Sequence, residues 1–178
     1  TLITKKHVLL ANHVPYAPTP FMVFFINNNN TSIVYNVVKT KRVGNTDILI
    51  GELDREADAS LKIYNILPVN YLKYFEKYPN FPVLHSDQER KALIANHGTI
   101  ENVDNSNCIT IMPPTSPDRL NYYEAVIGGD SGNPVFTIIN YEAVLIGGWY
   151  KQWYGGGGLA TLLPSYLTDI NNTIASMT

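Results

Sequence analysis

Short apolar runs alternate with clusters of Asn, Gly and Pro along most of the chain. Three such runs follow one another at residues 21–26, 31–43 and 47–53, and they are rich in Val, Ile, Phe and Tyr. Residues 27–30 (Asn-Asn-Asn-Asn) and 44–45 (Gly-Asn) separate them and favour turns. Later runs have the same character and are found at residues 91–97, 108–112, 134–139 and 143–149. The pattern predicts an all-β chain with many hairpins.

Two segments depart from this pattern. Residues 61–82 are rich in Tyr and Pro with weak periodicity, which predicts a connector with a helical turn at residues 71–78. Near the end, apolar residues recur at intervals of three and four, which predicts an amphipathic helix. The chain is therefore expected to be a single domain, divided into a first half (1–60), a connector (61–82), a second half (83–162) and a C-terminal helix (163–178).

Composition excludes several classes of partner. The 178 residues carry a formal net charge of -2 and a sequence pI near 6.0, with no block of like charge, so nucleic acid is not expected as a partner. No apolar run reaches the about 18 residues of a membrane span, and the first residues lack the layout of a secretory signal. Cys108 is the only cysteine, which excludes an internal disulfide. We expect a soluble protein without a membrane partner.

The segment "GGDSGNP" places Ser131 between two glycines. Gly-Asp-Ser-Gly by itself is ordinary turn sequence, because Gly adopts positive φ and Asp and Ser bond their own backbone. A catalytic serine also needs a base within hydrogen-bond reach and a group that orients the base. The hypothesis of a nucleophile therefore depends on a histidine and an acid elsewhere in the chain.

Four histidines could supply the base. His13 ends an apolar run that leads into a loop, where a scaffold can present a side chain. His7 begins that run beside lysines and is expected to be exposed, and His85 and His97 lie in polar surroundings typical of turns. Each of them, taken alone, also fits a surface or structural role. Among the acids, Asp47 opens an apolar strand and is the better orienting group, since those at residues 54–58 fit a solvated loop.

Taken together, three segments carry a resemblance to a known family. "TLITKKHVLLANH", "NTDILIGEL" and "GGDSGNP" resemble the His, Asp and Ser segments of the chymotrypsin-like (trypsin-fold) serine proteases, and they occur in the family's order. The resemblance extends to about residue 174 and is weakest between 61 and 123. It implies two antiparallel six-stranded β-barrels with the active site in the cleft between them, followed by a C-terminal α-helix, and it implies no cofactor.

The resemblance implies a role for each matching residue. Ser131 would attack the peptide carbonyl, His13 would accept its proton, and Asp47 would orient the imidazole. The backbone N–H groups of Gly129 and Ser131 would form the oxyanion hole. The substrate would be a protein or peptide.

The resemblance also implies which residues form the primary specificity pocket. Ala125 stands where an aspartate would select Lys or Arg, "AVLIGGWY" resembles a pocket wall that includes Trp149, and Gly158 resembles the small residue that keeps the pocket open. These residues predict an uncharged, apolar side chain at the cleaved position. Glu124 is a weaker candidate for selecting a basic side chain.

The chain also departs from the family. It has none of the family's disulfides, which fits the bacterial, viral and intracellular members. No Ile-Val-Gly-Gly start exists to pair with Asp130, so another partner is expected for that carboxylate. The first barrel lacks its initial strands, and an upstream segment or another subunit is expected to complete it. A soluble, secreted or virus-associated protein is expected.

Two further hypotheses remain beside an active endopeptidase. A trypsin-fold structural or binding module could keep the three residues unused within a larger polypeptide or assembly. An esterase of the α/β-hydrolase type is disfavoured, because no histidine follows Ser131 in the chain.

Overall fold

The structure, a computed structural model, describes residues 1–78, 80–153 and 156–177. The chain divides into two compact units. The first comprises Thr1–Asn65 and the residues from Thr168 onward, and the second comprises Ile66–Leu167.

The first unit contains one antiparallel sheet of four strands. Its strands are β1 (His7–Ala11), β2 (Phe21–Ile26), β3 (Ser32–Arg42) and β4 (Ile48–Leu53), and their order in the sheet is β1-β4-β3-β2. Each of them matches an apolar run of the sequence, so the strand predictions for this region are confirmed.

One face of this sheet covers the apolar core of the first unit. Val37 and Leu53 are fully buried there, and Phe21, Val23 and Phe25 pack against the same cluster. The alternate residues of β2 point away and stay exposed, because successive side chains of a strand lie on opposite faces. They are Met22, Phe24 and Ile26.

The second unit contains a closed antiparallel barrel of six strands. The strands are β5 (Pro82–Ser86), β6 (Ala92–Val103), β7 (Ser106–Met112), β8 (Pro134–Ile139), β9 (Glu142–Gln152) and β10 (Gly158–Leu162), and they close in the order β10-β7-β6-β5-β8-β9. Its interior is filled by apolar side chains that include Val83, Ile109, Val135, Ile146 and Leu162. The prediction of a closed six-stranded barrel is confirmed for this unit, whereas the first half forms the four-stranded sheet.

Helices occupy the connector and the C-terminus. A 3-10 turn at Val69–Tyr71 leads into α1 (Leu72–Lys77), which confirms the predicted helical turn. A short helix, α2 (Pro117–Leu120), follows β7. The predicted C-terminal α-helix is confirmed as α3 (Leu167–Ala175), but the four residues before it, Leu163–Tyr166, form a 3-10 helix. No helix within the described ranges has the length and apolar character needed to cross a membrane.

Three histidines lie in surroundings other than those predicted. His7 is on β1, His85 on β5 and His97 on β6, and all three are buried. The predictions of an exposed His7 and of polar turns around the other two were therefore wrong. Burial of a strand position depends on what packs against each face of its sheet, and local composition did not reveal that these positions are covered.

Candidate active site

His13 and Asp47 come together at neighbouring strand ends in the first unit. β1 and β4 are antiparallel partners, and Ala11 pairs with Ile48 at the end of their register. His13 lies in the turn just after β1, and Asp47 lies just before β4. The backbone N–H of Asn12 donates to the Asp47 carbonyl (2.8 Å), which extends the strand pairing by one further step. Sheet pairing thus places the two predicted side chains next to each other.

The Asp47 carboxylate binds His13 through both of its oxygens. Oδ1 accepts the backbone N–H of His13 at 2.8 Å, and Oδ2 lies 2.8 Å from the ring Nδ1. The carboxylate accepts hydrogen bonds only, so Nδ1 carries the ring proton of the neutral imidazole and Nε2 keeps its lone pair. The Asp47 side chain is 9% exposed and the His13 side chain 39% exposed. The buried acid therefore fixes the tautomer and direction of an accessible base.

Tyr16 and Phe21 line the same end of the first unit. Their rings stack with centroids 5.2 Å apart. Burial raises the pKa of the Tyr16 hydroxyl, and the negative charge of Asp47 adds to this effect, although a hydrogen bond with the Ala11 backbone opposes it. Tyr16 is therefore a neutral phenol at pH 7.

Ser131 lies in a turn of the second unit whose backbone requires glycine. Gly129 has φ +108° and Gly132 has φ +80°, a region that favours glycine. A Cβ on Gly129 would also overlap the Oε1 atom of Gln88. The Gly132 N–H donates to the Trp149 carbonyl on β9 (2.8 Å), and this hydrogen bond connects the turn to the barrel. Ser131 itself is half-buried.

The Asp130 carboxylate accepts hydrogen bonds from two backbone amides. Its side chain is buried, Oδ1 accepts the N–H of Gln88 at 2.8 Å, and Oδ2 accepts the N–H of Ile127 at 2.9 Å. The expectation of a partner other than a new N-terminal amine is confirmed by these bonds. They tie the Ser131 turn to the segment that follows β5, because Gln88 belongs to that segment.

The predicted pocket residues lie close together in the second unit. Gly158 begins β10, and a Cβ there would come within 2.8 Å of the Trp149 ring and 2.9 Å of Val126 Cγ1. Ala125 is exposed, and a Cβ on Gly156 would lie 3.6 Å from its methyl group. The barrel therefore groups Ala125, Trp149 and Gly158 around one short segment, 125–126.

Glu124 is held by a cation. The Lys91 ammonium donates to both of its carboxylate oxygens, at 2.8 and 2.9 Å, and both side chains are exposed. This pairing offsets part of the charge that Glu124 would need to attract a basic substrate side chain, since Lys91 also pairs with Glu89 at 2.9 Å.

His85, predicted from the sequence to lie in polar surroundings typical of a turn, is buried in this neighbourhood. Its ring meets the Trp149 ring edge to face at 5.3 Å, and among the described residues neither ring nitrogen has a hydrogen-bond partner. Burial lowers the pKa of His85 to about 4, against the opposing attraction of the carboxylates of Asp130, Asp87 and Glu124. The ring is therefore neutral at pH 7. The two-residue spacing from the buried Val83 was the available signal, because residues i and i+2 of a strand share a face.

Contacts within each unit therefore fix the positions of the candidate site residues. His13 and Asp47 are joined in the first unit, and the turn that carries Gly129 and Ser131 is formed by the second.

Across residues 1–78, 80–153 and 156–177, no group of three or more His, Cys, Asp or Glu side chains could hold a metal ion. No protein-family model matches the chain, and no curated protein matches it significantly.

Proposed function

We propose that this protein is a serine endopeptidase of the chymotrypsin-like type, with Ser131 as nucleophile, His13 as general base and Asp47 as the orienting acid. The observation that carries the proposal is that the Asp47 carboxylate forms hydrogen bonds with both the backbone N–H and the ring Nδ1 of His13. This arrangement leaves Nε2 as the proton acceptor, which is the form of imidazole that a serine nucleophile needs.

The mechanism is acyl transfer in two steps. Ser131 Oγ adds to the scissile carbonyl carbon while His13 Nε2 takes the hydroxyl proton, and Asp47 stabilises the resulting imidazolium. The backbone N–H groups of Gly129 and Ser131 donate hydrogen bonds to the carbonyl oxygen as it gains negative charge. The C–N bond then breaks as His13 returns the proton to the leaving amine. Water, activated by the same histidine, hydrolyses the acyl-enzyme and regenerates the serine.

The surroundings of Ala125 support an apolar side chain at the cleaved position. Ala125 brings no charge, the neighbouring Val126 and Trp149 are buried apolar residues, and Glu124 is paired with Lys91. A Lys or Arg side chain would therefore find no unpaired carboxylate among these residues.

The chymotrypsin-like architecture is part of the same proposal. The sheet of the first unit supplies four strands, and β2 is one of its two outer strands. Two more strands from another segment or subunit would pair with this edge and close a first barrel. The open edge and its exposed apolar residues support this completion, because sheet edges in native proteins are usually covered.

The direct test is labelling with a fluorophosphonate probe, which reacts with an activated serine. We expect Ser131→Ala to abolish labelling and His13→Ala to slow it by about a millionfold, as for other serine hydrolases of this mechanism. Ser165→Ala serves as the matched control, because Ser165 lies in the 3-10 helix and has no role in the mechanism.

Near-ultraviolet circular dichroism of every variant shows whether it is folded. Folded wild-type protein that is not labelled, or labelling that survives Ser131→Ala, would contradict the proposal. The first of these results would favour the alternative of a binding or structural module.

A further inference from the structure

The second unit contains a concave site whose lining residues lie outside the three sequence motifs. It is a cleft of about 320 Å³ between α1 and β8. Pockets that take small molecules start at about 300 Å³ and are lined mainly by apolar and aromatic side chains. The residues that line this cleft include Tyr71, Tyr74, Tyr78, Phe81, His97 and Ile138, and we call it the tyrosine cleft.

The segment around α1 builds one wall of the tyrosine cleft. Tyr74 and Phe75 of α1, Tyr71 of the preceding 3-10 turn and Tyr78 just after the helix all line the same cleft. Phe75 is buried at the base, where its ring meets His97 at 4.8 Å. The three tyrosines are 37%, 50% and 54% exposed. This wall offers flat aromatic surface to a ligand without any rearrangement of the core.

The opposite wall and the floor are also uncharged. Phe81 and Ile138 are both about half exposed. His97 is fully buried, its Nδ1 donates to the Gly98 carbonyl at 3.0 Å, and burial lowers the pKa of the ring. The floor is therefore neutral at pH 7. The interior of the cleft suits an apolar, flat body.

Two lysine ammonium groups lie beside tyrosines that line the cleft. The ammonium groups of Lys73 and Lys77 each lie 5.3 Å from a ring centroid, that of Tyr74 and that of Tyr78 respectively. Neither lysine forms an ion pair with a residue that the structure describes. Glu76, the acid on the same helix, is bonded to neither of them. The two cations therefore favour an anionic group and oppose the cationic ligands that aromatic cages otherwise bind.

We propose that the tyrosine cleft binds a small amphipathic anion, with an aromatic body between Tyr74 and Ile138 and a carboxylate, sulfonate or phosphate group beside Lys73 and Lys77. This site goes beyond the proposed peptidase activity, because none of its residues belongs to the candidate active site.

The test uses three naphthalene probes that differ in charge. Naphthalene-2-sulfonate is the anion, naphthalene-2-methanol is neutral, and (2-naphthylmethyl)trimethylammonium is the cation. Each is titrated into the full-length Ser131→Ala protein by calorimetry, so that hydrolytic activity plays no part. We expect the sulfonate to bind about tenfold more tightly than the alcohol, which corresponds to two surface charge interactions, and the cation to bind most weakly.

Matched variants locate the site. Lys73→Glu with Lys77→Glu should lower the affinity for the sulfonate at least tenfold and leave that for the alcohol within twofold. Lys5→Glu with Lys62→Glu changes the net charge by the same amount at exposed positions of the first unit and should change neither. Ile138→Trp should fill the cleft and abolish binding of the sulfonate and the alcohol, whereas Val34→Trp, at a similarly exposed position of the first unit, should not.

Several results would overturn the proposal. These are equal affinity for the three probes, equal losses in the two charge-reversal pairs, and binding that survives Ile138→Trp. Thermal unfolding checks that each variant is folded. If Ile138→Trp does not fold, Tyr74→Ala takes its place, because Tyr74 is half exposed and its loss removes ring surface from the cleft.

Discussion

Two aspartates, one in each unit, use the same chemistry for different purposes. Asp47 and Asp130 each accept two hydrogen bonds, one on each carboxylate oxygen. Asp130 binds only backbone amides, those of Gln88 and Ile127. Asp47 binds one backbone amide and one imidazole nitrogen, both from His13. A carboxylate that binds the backbone alone stabilises a turn, whereas one that also binds a titratable ring directs that ring's proton.

This comparison explains why the motif around Ser131 is informative only in context. The Asp130 bonds would stabilise the Gly129–Gly132 turn whether or not Ser131 reacts. The Asp47 bonds would be unnecessary for a turn alone, because the strand pairing of Ala11 with Ile48 already fixes the backbone there. The support for the proposed catalysis therefore lies mainly with His13 and Asp47.

Among substitutions of the two aspartates, the largest expected effect comes from Asp47→Asn. The amide can still accept the backbone N–H of His13, but its NH₂ group would face Nδ1 and favour the wrong tautomer. We expect kcat on a peptide substrate with an apolar residue at the cleaved position to fall about 10⁴-fold, with little change in the free energy of unfolding.

Two measurements check this outcome. Steady-state kinetics report kcat, and ¹⁵N chemical shifts of the His13 ring report which nitrogen carries the proton. A ring tautomer that is the same in Asp47→Asn and in the wild type would show that Asp47 does not direct the proton.

Asp130→Ala is expected to affect folding more than any other substitution in the Ser131 turn. It removes two hydrogen bonds to a charged acceptor, each of which contributes about 2 kcal/mol, so we expect the free energy of unfolding to fall by about 4 kcal/mol. Asp130→Asn retains one acceptor oxygen and should cost about half as much. Urea unfolding measures both values, and equal losses in the two variants would contradict a role for both oxygens.

A smaller effect distinguishes the buried His85 from the accessible His13. The pKa of His85 is about 4 in the folded protein, against the ordinary value of 6.5, so the unfolded chain binds one more proton between these pH values. The free energy of unfolding should therefore fall as the pH is lowered through this range, by roughly 3 kcal/mol, and the contribution should be complete above pH 6.5.

His85→Phe keeps a ring against Trp149 and removes the titration. The difference in unfolding free energy between wild type and variant, measured by urea unfolding at pH 7 and at pH 4, isolates the contribution of His85. A difference that does not change between the two pH values would show that His85 titrates normally in the folded protein.

Local pattern predicted most of the strands and both main helical segments. β2, β3 and β4 coincide with Val-, Ile- and Phe-rich runs, and α1 lies within the predicted helical turn at 71–78. β5 was not predicted, because Pro82–Ser86 is short and ends in polar residues. Its strand conformation comes from pairing with β6 on one side and β8 on the other, which are distant in the sequence.

In the candidate site, too, local motifs predicted some features and distant contacts decided the others. The motifs pointed to His13, Asp47 and Ser131, and the structure adds how Asp47 holds His13. The partners of Asp130 could not be predicted, since Gln88 lies 42 residues away in the sequence and donates a backbone amide that any residue type carries. The tyrosine cleft was also not predicted, because helix periodicity indicates one aromatic face but not the strand opposite it.

The sequence by itself determined the β character of the chain, its turns and the residue types able to carry acyl transfer, because alternation, Gly and Asn positions and short motifs act locally. Only the tertiary structure decided that β5–β10 close into a barrel and that His7, His85 and His97 face inward. It also decided which groups the two aspartates bind. The physical reason is that strand closure and burial depend on pairing between distant segments, which no local window of the sequence contains.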